Sequence, residues 1–167
     1  MKIGIIPVNV GYASAGQLVA VAQAAEAAGF ESAWTFEHVM VPVAYDSRYP
    51  YSGSGKMGIA PEVNFIDPLI ALATIAAHTK RLRLGTGVNI LPQSNPLLLA
   101  KQAASLDLVS GGRFMLGLGI GWLAEEFRAM GLPFEHRGAR FDDYISAMKK
   151  VWSEELVEHH SEFLDWS

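Results

Sequence analysis

Apolar residues along the chain alternate between short runs that suit buried strands and longer runs with helical spacing. Four strands are predicted, and each is followed by a helix. The strands cover 2–7, 32–36, 81–88 and 113–118, and the helices cover 15–29, 68–77, 96–109 and 123–130. This succession is typical of a parallel sheet with helices outside it, so the predicted fold class is α/β. One more helix is predicted over 139–152. In the tail over 155–167 apolar and polar residues alternate weakly, which is compatible with an edge strand or a hairpin.

Local signals mark two helix starts and one long loop. Asp67-Pro68 and Asn95-Pro96 each put a capping side chain before a proline at the first helical position. Between the second strand and its helix lies the segment 37–64, which is rich in Gly, Pro, Ser and Tyr. A loop of this length inside a compact domain is usually functional or mobile.

Composition limits the class of protein. A chain of 167 residues that is 50% hydrophobic can bury the core of a single domain over 1–167. The formal charge is −4, and the 13 basic residues are scattered, which argues against a nucleic-acid partner. The absence of cysteine excludes disulfides, thiolate metal sites and cysteine nucleophiles, and fits a reducing cytoplasm. No apolar run approaches the roughly 20 residues that span a bilayer, and the N-terminus lacks a signal-peptide core, so we expect a cytoplasmic protein without a membrane partner.

A glycine-rich turn after the fourth strand imitates a nucleotide-binding motif. Gly119, Gly121 and Ala124 match the dinucleotide fingerprint G-x-G-x-x-A. In the dinucleotide-binding fold, however, that motif lies in the first strand-helix unit, and an acidic residue about 20 positions later ends the next strand. Here the match lies in the fourth unit, and Asp142 and Asp143 fall inside a helical pattern. The glycines therefore do not predict a dinucleotide site.

A (β/α)8 barrel gives the same alternation and places its chemistry where strands end and outer helices begin. The residues at those positions are polar, glycine-rich and aromatic, as a ligand-facing rim would be. They are Asn9, Glu37 and His38, Thr86 to Asn89, and Gly119 to Trp122. Glu158-His159-His160 is a poor metal site by comparison, because adjacent histidines on a strand point apart; no metal is predicted.

Three stretches, 32–42, 81–122 and 125–152, together resemble the bacterial luciferase-like flavin and deazaflavin oxidoreductases. The resemblance is carried by Glu-His after the second strand, Gly-Thr-Gly-Val in the third, and Ser-Gly-Gly-Arg-Phe before the fourth. The ending Gly-x-Gly-x-Gly-Trp is more similar to the deazaflavin branch. The resemblance implies a TIM-type (β/α)8 barrel, of which this chain would hold the first four βα units as a half barrel. It implies a cofactor ring at the carboxyl-end mouth.

The resemblance also assigns residues. It implies a non-proline cis peptide between Gly87 and Val88 behind the ring, and His38 as a catalytic acid/base or a donor to the ring. An imidazole suits proton transfer near neutral pH. The implied cofactor-binding residues are Asn9, Glu37, His38, Thr86, Gly87, Val88, Gly119, Gly121 and Trp122. Purely structural roles stay open: His38 could order its loop, Gly87 could only allow close packing, and Trp122 could plug a helix start.

The function implied is hydride transfer between coenzyme F-420, a deazaflavin, and a small-molecule organic substrate, with activity weak or absent in a half-length chain. Two alternatives stay open. One is an FMN-dependent monooxygenase that uses reduced flavin and oxygen. The other is a flavin-binding half barrel without catalysis that completes itself as a homodimer, because a lone half barrel exposes the edges of its first and fourth strands.

Overall fold

The computed structural model describes residues 1–167, which divide into two compact units. The first unit comprises Met1–Val41, Gly58–Asn89 and Ala103–Leu118. The second comprises Pro42–Met57, Ile90–Gln102 and Gly119–Ser167.

The first unit is built on a four-stranded parallel sheet in the order β1-β2-β3-β5. Its strands are β1 (Gly4–Ile5), β2 (Ser32–Thr35), β3 (Arg83–Thr86) and β5 (Phe114–Met115). The prediction of a parallel sheet is confirmed. β1 and β5 form its two edges.

Helices α1 (Ala15–Ala27) and α2 (Pro68–His78) bury their apolar residues in the core of this unit, together with the end of α3 (Pro96–Ser110). The core residues are Val8, Leu18, Ala22, Ala33, Ala71, Leu72, Ile75, Ala76, Leu82, Leu84 and Leu106. Both predicted capping residues act as caps, since Asp67 accepts from the Ile70 N–H and Asn95 from the N–H groups of Leu97 and Leu98.

The side chain of Trp34 in β2 lies over glycines of the two neighbouring strands, β1 and β3. The Trp34 indole N–H donates to the Ser32 hydroxyl at 2.9 Å. A Cβ added at Gly85 would lie 2.3 Å from the Trp34 ring, and one added at Gly4 would lie 2.9 Å from its indole nitrogen. Because side chains alternate along a strand, Trp34 and Ser32 point away from the face that carries Ala33. The two glycines therefore make room for the ring.

Strand β4 (Asn89–Ile90) has its last residue in the second unit. That unit also holds a 3-10 turn (Leu91–Gln93), α4 (Ala124–Ala129), α5 (Arg137–Ser153) and a hairpin. Short strands β7 (His159–His160) and β8 (Asp165–Trp166) pair antiparallel, so the hairpin is the one of the two predicted alternatives for the tail that forms. His159 Nε2 lies 2.8 Å from Asp143 Oδ1, whereas His160 contacts Asp165. The adjacent histidines thus bond to different carboxylates.

Two predicted strands are interrupted. The third was expected over 81–88, but β3 ends at Thr86, and β4 begins only at Asn89 after the peptide bond between Gly87 and Val88. The fourth was expected over 113–118, but β5 ends at Met115, and a separate strand, β6, covers Leu118–Gly119. No helix has the length and apolar character needed to cross a bilayer.

Candidate functional site at the carboxyl ends of the strands

Asn9 follows β1 and is fully buried. Its amide donates to the carbonyls of Phe36 and Ile66, at 2.9 and 2.7 Å, and its oxygen accepts from the Phe36 N–H at 2.9 Å. Both donors of the amide are therefore used by the chain. Asn9 fixes the backbone just before Glu37, the first residue of the predicted rim after β2.

Glu37 and His38 are both half-buried and lie two and three residues after the end of β2. Glu37 Oε1 accepts a hydrogen bond of 2.9 Å from Asn89 Nδ2. The His38 ring meets the edge of Phe65, with 5.8 Å between ring centroids and planes at 90°. The segments that follow β2 and β3 are thus joined by a side-chain pair, and His38 is the next residue after Glu37.

Thr86 ends β3, and its hydroxyl bridges to Gly117. The hydroxyl donates to the Gly117 carbonyl at 2.7 Å and accepts from the Gly117 N–H at 2.9 Å. A Cβ at Gly117 would lie 2.1 Å from the Thr86 carbonyl oxygen, so only glycine allows this approach. Thr86 was predicted to bind a cofactor; its hydroxyl is engaged within the chain both as donor and as acceptor.

The peptide bond between Gly87 and Val88 is cis, which confirms the geometry that the resemblance implies. The Gly87 N–H donates to the Thr35 carbonyl at 2.8 Å. Val88 is 38% exposed. An apolar side chain therefore lies at the surface beside the Glu37 and Asn89 pair.

Asn89 was not among the predicted cofactor-binding residues, although it ends the rim stretch from Thr86. It is 3% exposed, and its backbone N–H donates to the Gly117 carbonyl at 2.8 Å. Its side-chain oxygen is buried and has no hydrogen-bond partner. The only signal in the sequence is a polar residue where a buried strand would continue, and that signal does not reveal an unpaired atom.

Gly119, Gly121 and Trp122 belong to the second unit. Gly121 has φ +77°, and a Cβ there would lie 2.7 Å from the Phe127 ring. Arg137 Nε donates to the Gly121 carbonyl at 3.1 Å. The backbone conformation and the close packing give Gly121 a structural reason that does not involve a nucleotide.

Trp122 forms an aromatic cluster with two tyrosines from the long loop. Its ring centroid is 5.7 Å from that of Tyr45 and 5.1 Å from that of Tyr49. Such edge and tilted contacts are the favoured arrangements of aromatic pairs. Part of the predicted loop 37–64 therefore packs against Trp122; the cofactor-binding role that the resemblance implies for Trp122 stays a prediction.

Glu125 fastens the same loop to the start of α4. Its Oε1 accepts from the N–H groups of Asp46 and Ser47, at 2.8 and 3.2 Å, and the Ser47 hydroxyl accepts from the Ala124 N–H at 3.1 Å. Burial opposes ionisation, but the hydrogen bonds from the Ser47 side chain and the loop backbone outweigh it and lower the pKa of Glu125 to about 2. The carboxylate form is the one that holds the loop.

We expect Glu125→Gln to lower the free energy of unfolding by about 1 kcal/mol near neutral pH, because hydrogen bonds to a charged acceptor are replaced by weaker ones. The folded-state pKa lies below the ordinary value of 4.5, so this stabilisation is complete above that value and is lost as pH falls toward about 2. Urea unfolding of both proteins, from about pH 7 down to about pH 3, should show the difference shrinking at the acid end. The exposed Glu155→Gln variant is the control, and an equal deficit at every pH would contradict the role of the charge.

Comparison with known proteins places these features in a family. A model of the luciferase-like monooxygenases matches residues 3–166. An uncharacterised protein of Mycobacterium tuberculosis is 37% identical over 147 residues, which cover 88% of this chain and 51% of that protein. The oxygenase component of a flavin-dependent trigonelline monooxygenase from Acinetobacter baylyi is 30% identical over 149 residues, covering 88% of this chain and 36% of that protein. The chain spans about half the length of the mycobacterial relative.

Solved structures share the fold. A monooxygenase from Streptomyces bottropensis superposes with a TM-score of 0.74 at 33% identity, over 99% of this chain and 47% of that one. Two more distant structures match at TM-scores of 0.75 and 0.76 and identities of 21% and 19%, over 99% and 98% of this chain and 42% and 46% of theirs. They are the oxygenating part of a Pseudomonas putida diketocamphane monooxygenase with FMN and an F-420-dependent secondary alcohol dehydrogenase with an F-420-acetone adduct. Because the family model covers nearly its whole length, the chain belongs to the luciferase-like monooxygenase family.

Proposed function

We propose that the carboxyl ends of β2 and β3 bind the ring of a flavin-type cofactor, in an oxidoreductase that transfers a hydride between coenzyme F-420 and a small organic substrate. The observation that carries this proposal is the pair of Glu37 and Asn89, which joins the segments after these strands next to His38 and leaves one buried acceptor unpaired. When bound, the deazaflavin supplies the hydride acceptor and donor.

The residues at these strand ends suit a flat ring with polar edges. Val88 offers exposed apolar surface, and a Cβ added at Gly87 before it would lie 3.2 Å from the side chain of Ile6, another exposed apolar residue. The unpaired oxygen of Asn89 offers a hydrogen-bond acceptor. Apolar walls with a few fixed polar groups are the usual composition of cofactor sites.

His38 is the residue we propose for proton transfer. An alcohol that loses a hydride to the ring must also lose its hydroxyl proton, and a ring nitrogen of His38 takes that proton in our proposal. The edge contact with Phe65 limits rotation of the imidazole. In the reverse direction the same nitrogen returns the proton to the carbonyl oxygen of the product.

The choice of F-420 is supported by the glycine pattern that ends in Trp122 and by the shared fold of the alcohol dehydrogenase with its F-420 adduct. A second candidate is an FMN-dependent monooxygenase. It is favoured by the names of two relatives, at 30% and 33% identity: the trigonelline monooxygenase component of Acinetobacter baylyi and the monooxygenase of Streptomyces bottropensis.

Absorbance titrations of the chain with F-420 and with oxidised FMN separate the two candidates. We expect F-420 to bind more tightly than FMN, and small secondary alcohols to bleach bound F-420. His38→Asn should keep the dissociation constant within about threefold and slow bleaching at least a hundredfold, the typical effect of removing an acid/base group. Binding of FMN alone would favour the monooxygenase. Absence of binding by either ring would overturn the proposal.

We also propose a homodimer, which the two unpaired edges of the parallel sheet support, because exposed edges invite pairing with another chain. The mass in solution should then be twice the 18.1 kDa of the chain. A mass equal to that of one chain over the micromolar range would count against it.

A further inference from the structure

The amide of Asn89 is held in one orientation. Its nitrogen donates to Glu37 Oε1 at 2.9 Å, and its backbone N–H donates to the Gly117 carbonyl at 2.8 Å. A carboxylate only accepts hydrogen bonds, so the NH2 group of Asn89 must face Glu37. The side-chain oxygen is therefore turned away from Glu37.

This oxygen has no donor within the chain. The nearby Thr86 hydroxyl already donates to Gly117, and both side-chain donors of Asn9 are taken by backbone carbonyls. A buried acceptor without a partner costs about 1–3 kcal/mol, and such atoms in native proteins call for an explanation. A ligand that brings an N–H group to this oxygen would remove the cost.

We propose that Asn89 is a specificity-determining residue that accepts a hydrogen bond from the imide N–H of a flavin or deazaflavin ring, with Glu37 as the positioning residue that orients its amide. This inference rests on the proposed function. Both kinds of ring carry an N–H group between two carbonyls, so one acceptor serves either cofactor. Val88, the preceding residue, is exposed and offers apolar surface next to buried Asn89 in the chain.

The test compares the parent ring that binds in the titrations, FMN or F-420, with the same ring methylated at its imide nitrogen. We expect the unmodified protein to bind the parent about tenfold more tightly, the equivalent of one hydrogen bond. Asn89→Leu keeps a similar volume without an acceptor. This variant should bind the parent ring about tenfold more weakly and bind the methylated ring almost as before. Its affinities for the two rings should therefore be nearly equal.

Two further variants make the result specific. Glu37→Leu leaves the Asn89 amide free to turn, so it should reduce the discrimination between the two rings without a change in near-ultraviolet circular dichroism. Asn64→Leu alters another asparagine of the first unit, one that donates to the Tyr12 carbonyl, and should preserve the discrimination.

The outcomes are distinguishable. If the Asn89→Leu variant still prefers the parent ring tenfold, the preference is steric and the inference is wrong. If the parent ring binds equally well to the unmodified protein and to the Asn89→Leu variant, the ring is not the donor to Asn89. The inference then fails while the proposed function stands. If neither parent ring binds the unmodified protein, both fail.

Discussion

Replacing Arg113 with methionine is expected to lower the free energy of unfolding by about 3 kcal/mol, because hydrogen bonds to a charged group contribute more than neutral ones and their loss leaves backbone acceptors unpaired. The guanidinium joins the ends of α2 and α3 to the strands. It donates to the carbonyls of Ser110, Leu82 and Ala76 and to the Thr79 hydroxyl, at 2.6 to 3.0 Å. Methionine keeps the apolar stem but offers no donor.

Urea unfolding followed by circular dichroism measures this loss. Arg113→Lys should recover only part of the stability, since an ammonium group lacks the planar arrangement of N–H donors with which the guanidinium reaches all these acceptors. Arg128→Met, at an exposed position on α4, is the matched control and should change the free energy of unfolding by less than about 0.5 kcal/mol. Equal stabilities for the two methionine variants would contradict the role given to Arg113.

Gly117→Ala is expected to destabilise the first unit by about 3 kcal/mol, at the upper end of the cost of overpacking. The new Cβ would lie 2.1 Å from the Thr86 carbonyl oxygen. That atom is backbone, so the end of β3 would have to move, and the paired hydrogen bonds between Thr86 and Gly117 would break. The same displacement should carry Asn89, whose N–H bonds to the Gly117 carbonyl. Binding of the parent ring should therefore weaken at least tenfold.

Gly16→Ala is the matched control for this variant. Gly16 lies in α1, where a Cβ would meet nothing closer than the Ser14 hydroxyl at 3.8 Å. Alanine in a helix should be neutral there or stabilising by up to about 1 kcal/mol. Thermal unfolding and ring titration of both variants measure the two effects. If Gly117→Ala unfolds and binds as Gly16→Ala does, the close approach at Thr86 is unimportant.

Local signals in the sequence predicted much of the fold. Alternating apolar runs predicted the parallel strands and their helices, and the two capping pairs before Pro68 and Pro96 predicted helix starts that the structure confirms. The weak alternation in the tail allowed an edge strand or a hairpin, and β7 and β8 form the hairpin. The strand interruptions were missed, because apolar character alone does not mark where hydrogen-bond pairing stops.

Contacts between distant parts of the chain could not be predicted. Glu125 meets Asp46 and Ser47 across nearly eighty residues of sequence, and neither residue type indicates the other. Asn89 and Glu37 are partners only because parallel strands bring their carboxyl ends to the same edge. The sequence placed Glu37 on the rim, but whether Asn89 keeps an unpaired atom depends on the register of the strands.

The most direct test of the proposed ring site is an NMR titration of backbone amides with whichever of FMN and F-420 binds. The amides of Gly87, Val88 and Asn89 should show the largest shifts in the first unit, and that of Ala22 in α1 should stay unchanged. Shifts that spare 87–89 and concentrate elsewhere would contradict a cofactor site at the carboxyl ends of β2 and β3.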